Sequence, residues 1–285
     1  MTGFAGTAVV GLCATFLLGA APVAAQQWSE LTRSRGISGE ESLAVRVEYA
    51  AGRFEVGAGE EGRLYRVYLR YAENGLQPDV EYEDGRLSID VEGNSDRVRV
   101  SGDEGARLRL LLPRSVPTDL RLEFGAVRAN MDLGGIPLTG LRLTTGASES
   151  MIRVSEPNRS TIERVQMEVG AARFEARELG NLNASRIDVE AAVGDVTLDF
   201  SGEWRNDARV SVSMGLGALS LHFPSEVGVR VEKSGFLAPF NPQGLERRGD
   251  VWFSPGFEGA PRKVTVELDA TLGSIDLTWG GQPAR

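Results

Sequence analysis

The feature that most constrains this chain is a glycine set in one apolar phase and repeated seven times. Around Gly194, Val189, Ala191 and Val193 sit five, three and one residues before the glycine, and Val196, Leu198 and Phe200 sit two, four and six after it. The same phase surrounds Gly217 (Val212, Met214, Leu216; Leu219, Leu221, Phe223) and Gly273 (Leu268, Ala270, Leu272; Ile275, Leu277, Trp279). It recurs at Gly125 (Leu120, Leu122, Phe124; Val127, Ala129, Met131) and at Gly170 (Val165, Met167, Val169; Ala172, Phe174, Ala176). Gly52 shows a shorter version, and Gly146 keeps the phase before the glycine but puts Ser148 and Ser150 in the inward slots after it. Alternation of period two is the mark of a half-buried strand. Strict alternation from the residue before the glycine would put the residue after it inside, yet the apolar set resumes one residue later. Each glycine therefore marks a bulge or tight corner, where φ > 0 suits a residue without Cβ.

From Gly125 the glycines follow at intervals of 21, 24, 24 and 23 residues, ending at Gly217. A unit of that length cannot bury its own apolar row, whereas stacking on a neighbour can. This favours a parallel β-solenoid over a β-sandwich, in which hairpins at irregular distances would serve equally well. The expected fold is all-β: a single-domain parallel β-solenoid over residues 42–280 with irregular end caps. The 73 residues between Gly52 and Gly125 have room for degenerate coils, and the 56 between Gly217 and Gly273 for a coil plus an excursion.

Residues 1–25 are different material. They contain no Asp, Glu, Lys or Arg, and an apolar run ends in Val23-Ala24-Ala25 before Gln26. This is the plan of a secretory signal lacking a basic n-region, with an uncleaved amino-terminal anchor as the alternative. Cys13 lies inside the run, so cleavage leaves a mature chain without cysteine, which excludes disulfides and thiolate chemistry. Export to the periplasm or beyond is expected, with no stable membrane insertion afterwards. Residues 26–41 read as a polar tail and 281–285 as a second one. The net charge of −9 argues against nucleic acid as a partner.

Two regions depart from the repeat. Arg63 to Tyr71 and Arg86 to Val91 read as strands, with Asp84-Gly85 as a hairpin turn, so this half is expected to pair antiparallel and start the stack. Ser234 to Pro261 gathers Phe236, Phe240, Trp252, Phe253 and Phe257, either to cover the open end of the solenoid or to bind a ligand. Chemistry is sparse. His222 is the sole histidine and, between Leu221 and Phe223, is expected to point outward. Asp188, Glu190, Asp195 and Asp199 fall on the polar face, where solvation accounts for them as well as a carboxylate pair would. No catalytic, cofactor or metal residues are assigned.

The order of these segments resembles the bacterial toast-rack, or adhesin-like, domains, which include the carboxy-terminal domains of cell-envelope stress regulators. The carrying motifs are VRVEYAAGRFEVGAG, LYRVYLRYAENGLQPDVEYEDGRLSIDV, DLRLEFGAVRANMDLGGIPLTGLRLTTGAS, GNLNASRIDVEAAVGDVTLDFSGEW and SMGLGALSLHFPSEVGVRV, spread from Leu43 to Trp279. The resemblance implies a solenoid-like envelope domain without catalytic residues, in some members regulating through a partner. The leading expectation is thus a noncatalytic envelope or secreted interaction module engaging an envelope protein, a glycan or a second copy. The alternative is a glycan-binding or carbohydrate-active β-helix protein.

Overall fold

The computed structural model describes residues 27–73, 75–93, 105–235 and 238–280. The expected signal peptide (1–25), the tail 281–285 and Phe236 lie outside them. Nearly every described segment is a strand. In chain order these are β1 (Trp28–Gly36), β2 (Leu43–Ala58), β3 (Arg63–Ala72), β4 (Leu76–Glu83), β5 (Arg86–Gly93) and β6 (Arg107–Leu112). Then come β7 (Thr118–Asp132), β8 (Leu138–Thr145), β9 (Ser148–Arg153), β10 (Ile162–Arg177), β11 (Ala184–Asp199) and β12 (Ala208–Phe223). The last are β13 (Gly228–Ser234), β14 (Phe240–Gln243), β15 (Glu246–Arg248), β16 (Val251–Phe253) and β17 (Lys263–Trp279). All join one 17-stranded sheet.

The long strands stack in parallel, each running through a corner that divides it into a first and a second arm. β2 lies on β7, β7 on β8 and β9, those on β10, then β11, β12 and β17 in turn. This is the all-β parallel solenoid that the glycine spacing implies. Apolar residues of both arms face inward and meet: Phe54 beyond one corner packs on Phe124 before the next at 4.6 Å, and Phe200 stacks on Phe223 at 4.5 Å with the rings 4° from parallel. One contiguous core runs from Leu43 to Leu277.

Both ends of the stack break sequence order. β5 and β6 form a coil on the outer side of β2, and β13 and β14 form one on the outer side of β17. The coils held in the two long glycine gaps are therefore the terminal ones. Antiparallel strands then close each end. β4 pairs with β5 through Asp84-Gly85, whose φ values of 45° and 77° fit a type I′ turn, and β3 pairs with β6. The sequence reads residues 26–41 as a tail, but Trp28–Gly36 folds as β1, antiparallel to β3. Its residues are polar because only one face is covered and its outer edge meets solvent. At the other end β16 pairs with β13, and β15 with β16.

The turns opposite the corner are tied by asparagines. Asn158 Nδ2 donates to the Leu138 and Leu182 carbonyls at 2.9 and 3.1 Å, and its Oδ1 accepts from Leu138 N at 3.1 Å. Asn181 Nδ2 donates to Val154 O at 2.8 Å while its Oδ1 accepts from Glu203 N at 2.8 Å. Asn183 continues the line to Ser160 and accepts from Asn206. These side chains satisfy buried backbone groups that no strand partner reaches.

Candidate functional site

At the corner the structure corrects the single glycine phase. The strand registers align Ala50, Gly125, Gly146, Gly170, Ala192 and Gly215 in one column. Gly52, Val127, Ser148, Ala172, Gly194, Gly217 and Gly273 form a second, two residues further along the chain. The seven repeat glycines thus divide between two columns. Only those of the second, Gly52, Gly194, Gly217 and Gly273, have positive φ, at 131°, 142°, 139° and 135°. Gly125, Gly146 and Gly170 are small for another reason: a Cβ on any of them would press on a carbonyl of the strand below, at 2.8 Å for Gly170 and 3.1 Å for Gly146.

The offset overturns one expectation. Val193, Leu216 and Leu272, each just before a second-column glycine, were assigned inward slots by the phase. They instead point out, 47%, 45% and 49% exposed. The inward position there belongs to the glycine itself, with Ala191, Met214 and Ala270 buried three residues earlier. Ser148 and Ser150 do occupy inward slots, buried, with Ser150 Oγ donating to Ser148 Oγ at 3.2 Å.

The outward face of the first arm forms an open groove of about 880 Å³. Its floor is built by register. Asp188, Ser211, Glu267 and Glu232 make one row, and Glu190, Ser213, Asp269 and Ser234 the next. Asp250 and Val251, from the β15–β16 hairpin, stand at its margin. Glu190, Glu267 and Asp269 are exposed, Asp188 is paired with Arg164 at 2.8 Å, and Glu267 with Arg209 at 3.6 Å. Glu190 and Asp269 are solvated and Asp188 and Glu267 are ion-paired, settings that differ from the apolar-walled carboxylic acid that general acid catalysis uses. Asp195 is exposed at the corner, away from this groove, and Asp199 is buried at a strand end, accepting from Ser201 N and Oγ at 2.9 Å each.

His222 corrects a second expectation. It alternates with the inward Leu221 and Phe223 as the sequence indicates, yet only 7% of it is exposed and its Nδ1 is buried without a hydrogen-bond partner. Parity fixes which face a side chain takes, not whether that face is covered. Asp199 is its neighbour across the strands, but the structure records no hydrogen bond between them. Among the described residues no group of three or more His, Cys, Asp and Glu side chains is placed to hold a metal ion.

The aromatic segment lies on the terminal coil. Phe240 and Trp252 meet edge to face at 4.9 Å and pack, with Trp279, against the core. Phe253 and Phe257 pair at 5.3 Å on the outer side, where Arg248 and Lys263 sit over their respective rings at 5.1 and 5.5 Å. The structure gathers Phe240 and Trp252 over the core and leaves Phe253 and Phe257 half-buried at the rim. Sequence reading missed the asparagines. The 23-residue spacing from Asn158 to Asn181 and from Asn183 to Asn206, equal to a repeat interval, is the signal that would have found them.

Comparison with known proteins finds one family and several solved structures with some similarity. The family model described as the N-terminal domain of toast_rack, DUF2154, matches residues 24–177 and 164–222. No curated protein matches the sequence. Among solved structures, a candidate cell adhesion protein from Clostridium sporogenes is similar at 17% identity and a TM-score of 0.48, covering 89% of this chain and 100% of its own. A candidate adhesin from Bacteroides fragilis is 11% identical with a TM-score of 0.36, covering 87% and 97%. A candidate lipid binding protein from Parabacteroides distasonis is 13% identical with a TM-score of 0.32, covering 89% and 95%.

Proposed function

The chain belongs to the family described as the N-terminal domain of toast_rack, DUF2154, and we propose that it is a noncatalytic, adhesion-type interaction module of the cell envelope or secreted fraction. The observation that carries the reading is the alignment of outward side chains into rows across successive strands, as in Asp188, Ser211, Glu267 and Glu232. Stacked coils fix such rows at one spacing, which suits an extended partner better than a small substrate. Residues 1–25 supply the export signal in this reading, and no described helix is long and apolar enough to cross a membrane. The terminal aromatics close the stack and do not bind.

The test pairs function with stability. The purified chain is expected to retain envelope proteins or glycans on an array and in pull-down, and to release no reducing sugar from the glycans it retains. Trp252→Ala should lower the melting temperature, since a half-buried large aromatic is worth roughly 1–2 kcal/mol, and should leave retention intact below that temperature. Unchanged melting with lost retention would move the binding site onto the aromatic segment. Catalytic turnover of a glycan would end the noncatalytic reading.

A further inference from the structure

The corner carries an apolar column on the outside of the protein. Val193 of β11, Leu216 of β12 and Leu272 of β17 lie opposite one another on adjacent strands. They are three of the four large hydrophobic side chains exposed among the described residues. The column continues through Ala171, Ala147 and Ala126, all exposed and all small enough for another surface to approach closely.

Charge flanks the column in a fixed pattern. Crossing the corner, β2 reads Glu48 then Arg53, β7 reads Glu123 then Arg128, and β10 reads Glu168 then Arg173. Glu48 is opposite Glu123, and Arg53 is opposite Arg128. Asp90 extends the acid line beyond Glu48, and Arg107 extends the arginine line beyond Arg53. At the heights of β2, β7 and β10 one flank is therefore acidic and the other basic, while between β7 and β10 Glu149 of β9 interrupts the arginine line and pairs with Arg128 at 3.0 Å. Burial and the nearby Glu48, Glu92 and Asp79 carboxylates hold the Asp90 carboxyl above its usual range. Like charges directly opposite at strand spacing repel, a cost that Arg46 beside Glu48 and Glu149 beside Arg128 offset in part and that a counter-charged surface of the same spacing lowers further. The surface that has this spacing by construction is the other flank of the same protein.

We propose that the corner is a self-association surface, on which two copies meet corner to corner with parallel stacks about a two-fold axis running along the stack. Each column residue then meets its own counterpart at the same height, and each acidic flank faces the partner's basic flank. A two-fold axis across the stack would set acid against acid, so charge selects the parallel form. One height opposes it: β11 carries Glu190 and Asp195, acids on both flanks. From β7 to β17 the column is roughly 24 Å long at about 4.8 Å per strand, and it stops there because Ala51 of β2 is buried. With its flanks it covers on the order of 500 Å² per copy, below the roughly 800 Å² of a standard interface, which implies a reversible dimer. This deepens the interaction-module reading, and rests on it, by naming one partner.

The full chain is expected to sediment as a monomer–dimer equilibrium between about 1 and 100 μM, the range of a modest interface, and to shift to monomer at about 0.5 M salt. Leu216→Cys in a Cys13→Ser background should form a cross-linked dimer on oxidation, because residue 216 meets itself. The triple variants R53E/R128E/R173E and E48R/E123R/E168R should each be monomeric, with circular dichroism confirming the fold, while their equimolar mixture restores a heterodimer. Asp195→Arg should tighten the dimer several-fold. A monomer at every concentration, or a dimer indifferent to both triple variants, overturns the proposal. A monomer that binds polyglutamate through the arginine flank also overturns it and makes that flank a polyanion site. Monomer with retained glycan or protein binding ends this inference alone, whereas a dimer without such binding ends only the adhesion-type reading.

Discussion

Gly217 meets two demands at once. Its φ of 139° is closed to most side chains, and a Cβ there would collide with the Gly194 carbonyl of the strand below. Gly146, in the neighbouring column, has no positive φ and would set a Cβ 3.1 Å from Gly125 O, a contact that a slight shift relieves. Gly217→Ala should therefore cost roughly 1–3 kcal/mol in strain alone, while Gly146→Ala should cost under about 1 kcal/mol. Urea denaturation of both variants checks this, and equal midpoints would refute the two-column corner. The difference was invisible in sequence for a definite reason. The columns are two residues apart, and a shift of two preserves the alternation of period two on either side. The position of each glycine was legible, but its column was not, and the exposure of Val193, Leu216 and Leu272 depends on the column.

The elements show the same division between what alternation encodes and what it omits. β7, β11, β12 and β17 announce themselves through buried residues at every second position. β1 does not, because Trp28–Gly36 covers only one edge and keeps polar side chains. The asparagine turns carry no apolar signal at all, yet they hold the coils together on the side away from the corner. Asn181 is the sharpest case, donating to Val154 O and accepting from Glu203 N while itself buried. Asn181→Ala strands both backbone groups, and a buried unsatisfied group costs about 1–3 kcal/mol. A loss of at least 1 kcal/mol is expected. In Asn206→Ala the one lost bond is to the Asn183 side chain, so the cost should be smaller. If both variants melt together with the parent chain, water replaces these bonds and the asparagines are not what ties the turns.

For the whole molecule, the sequence indicated stacking but not the order of the stack. A parallel register preserves the same alternation whichever coil is the neighbour, so nothing in the pattern told β2 to lie on β7 while β5 and β6 went outside it. The result is a stack whose middle, β7 to β12, is built of consecutive coils, and whose ends are built of segments folded back out of order. Each coil touches mainly its neighbours, so opening should begin at the ends, where one side lacks a full coil, and move inward. The end strands β15 and β16 have three residues each and pair only briefly, whereas β11 and β12 are bonded along nearly their whole length on both sides. Native-state hydrogen exchange, at a protein concentration below that of any self-association, should therefore give a gradient. β15, β16 and β1 exchange first, β13 and β3 next, and the amides of β10, β11 and β12 last. The Val193 and Leu216 amides belong with the slow set despite their exposed side chains, because exchange follows backbone pairing and not side-chain burial. Uniform protection from β2 to β17 would mean that the stack opens as one cooperative unit, and the end-to-middle gradient would have to be abandoned.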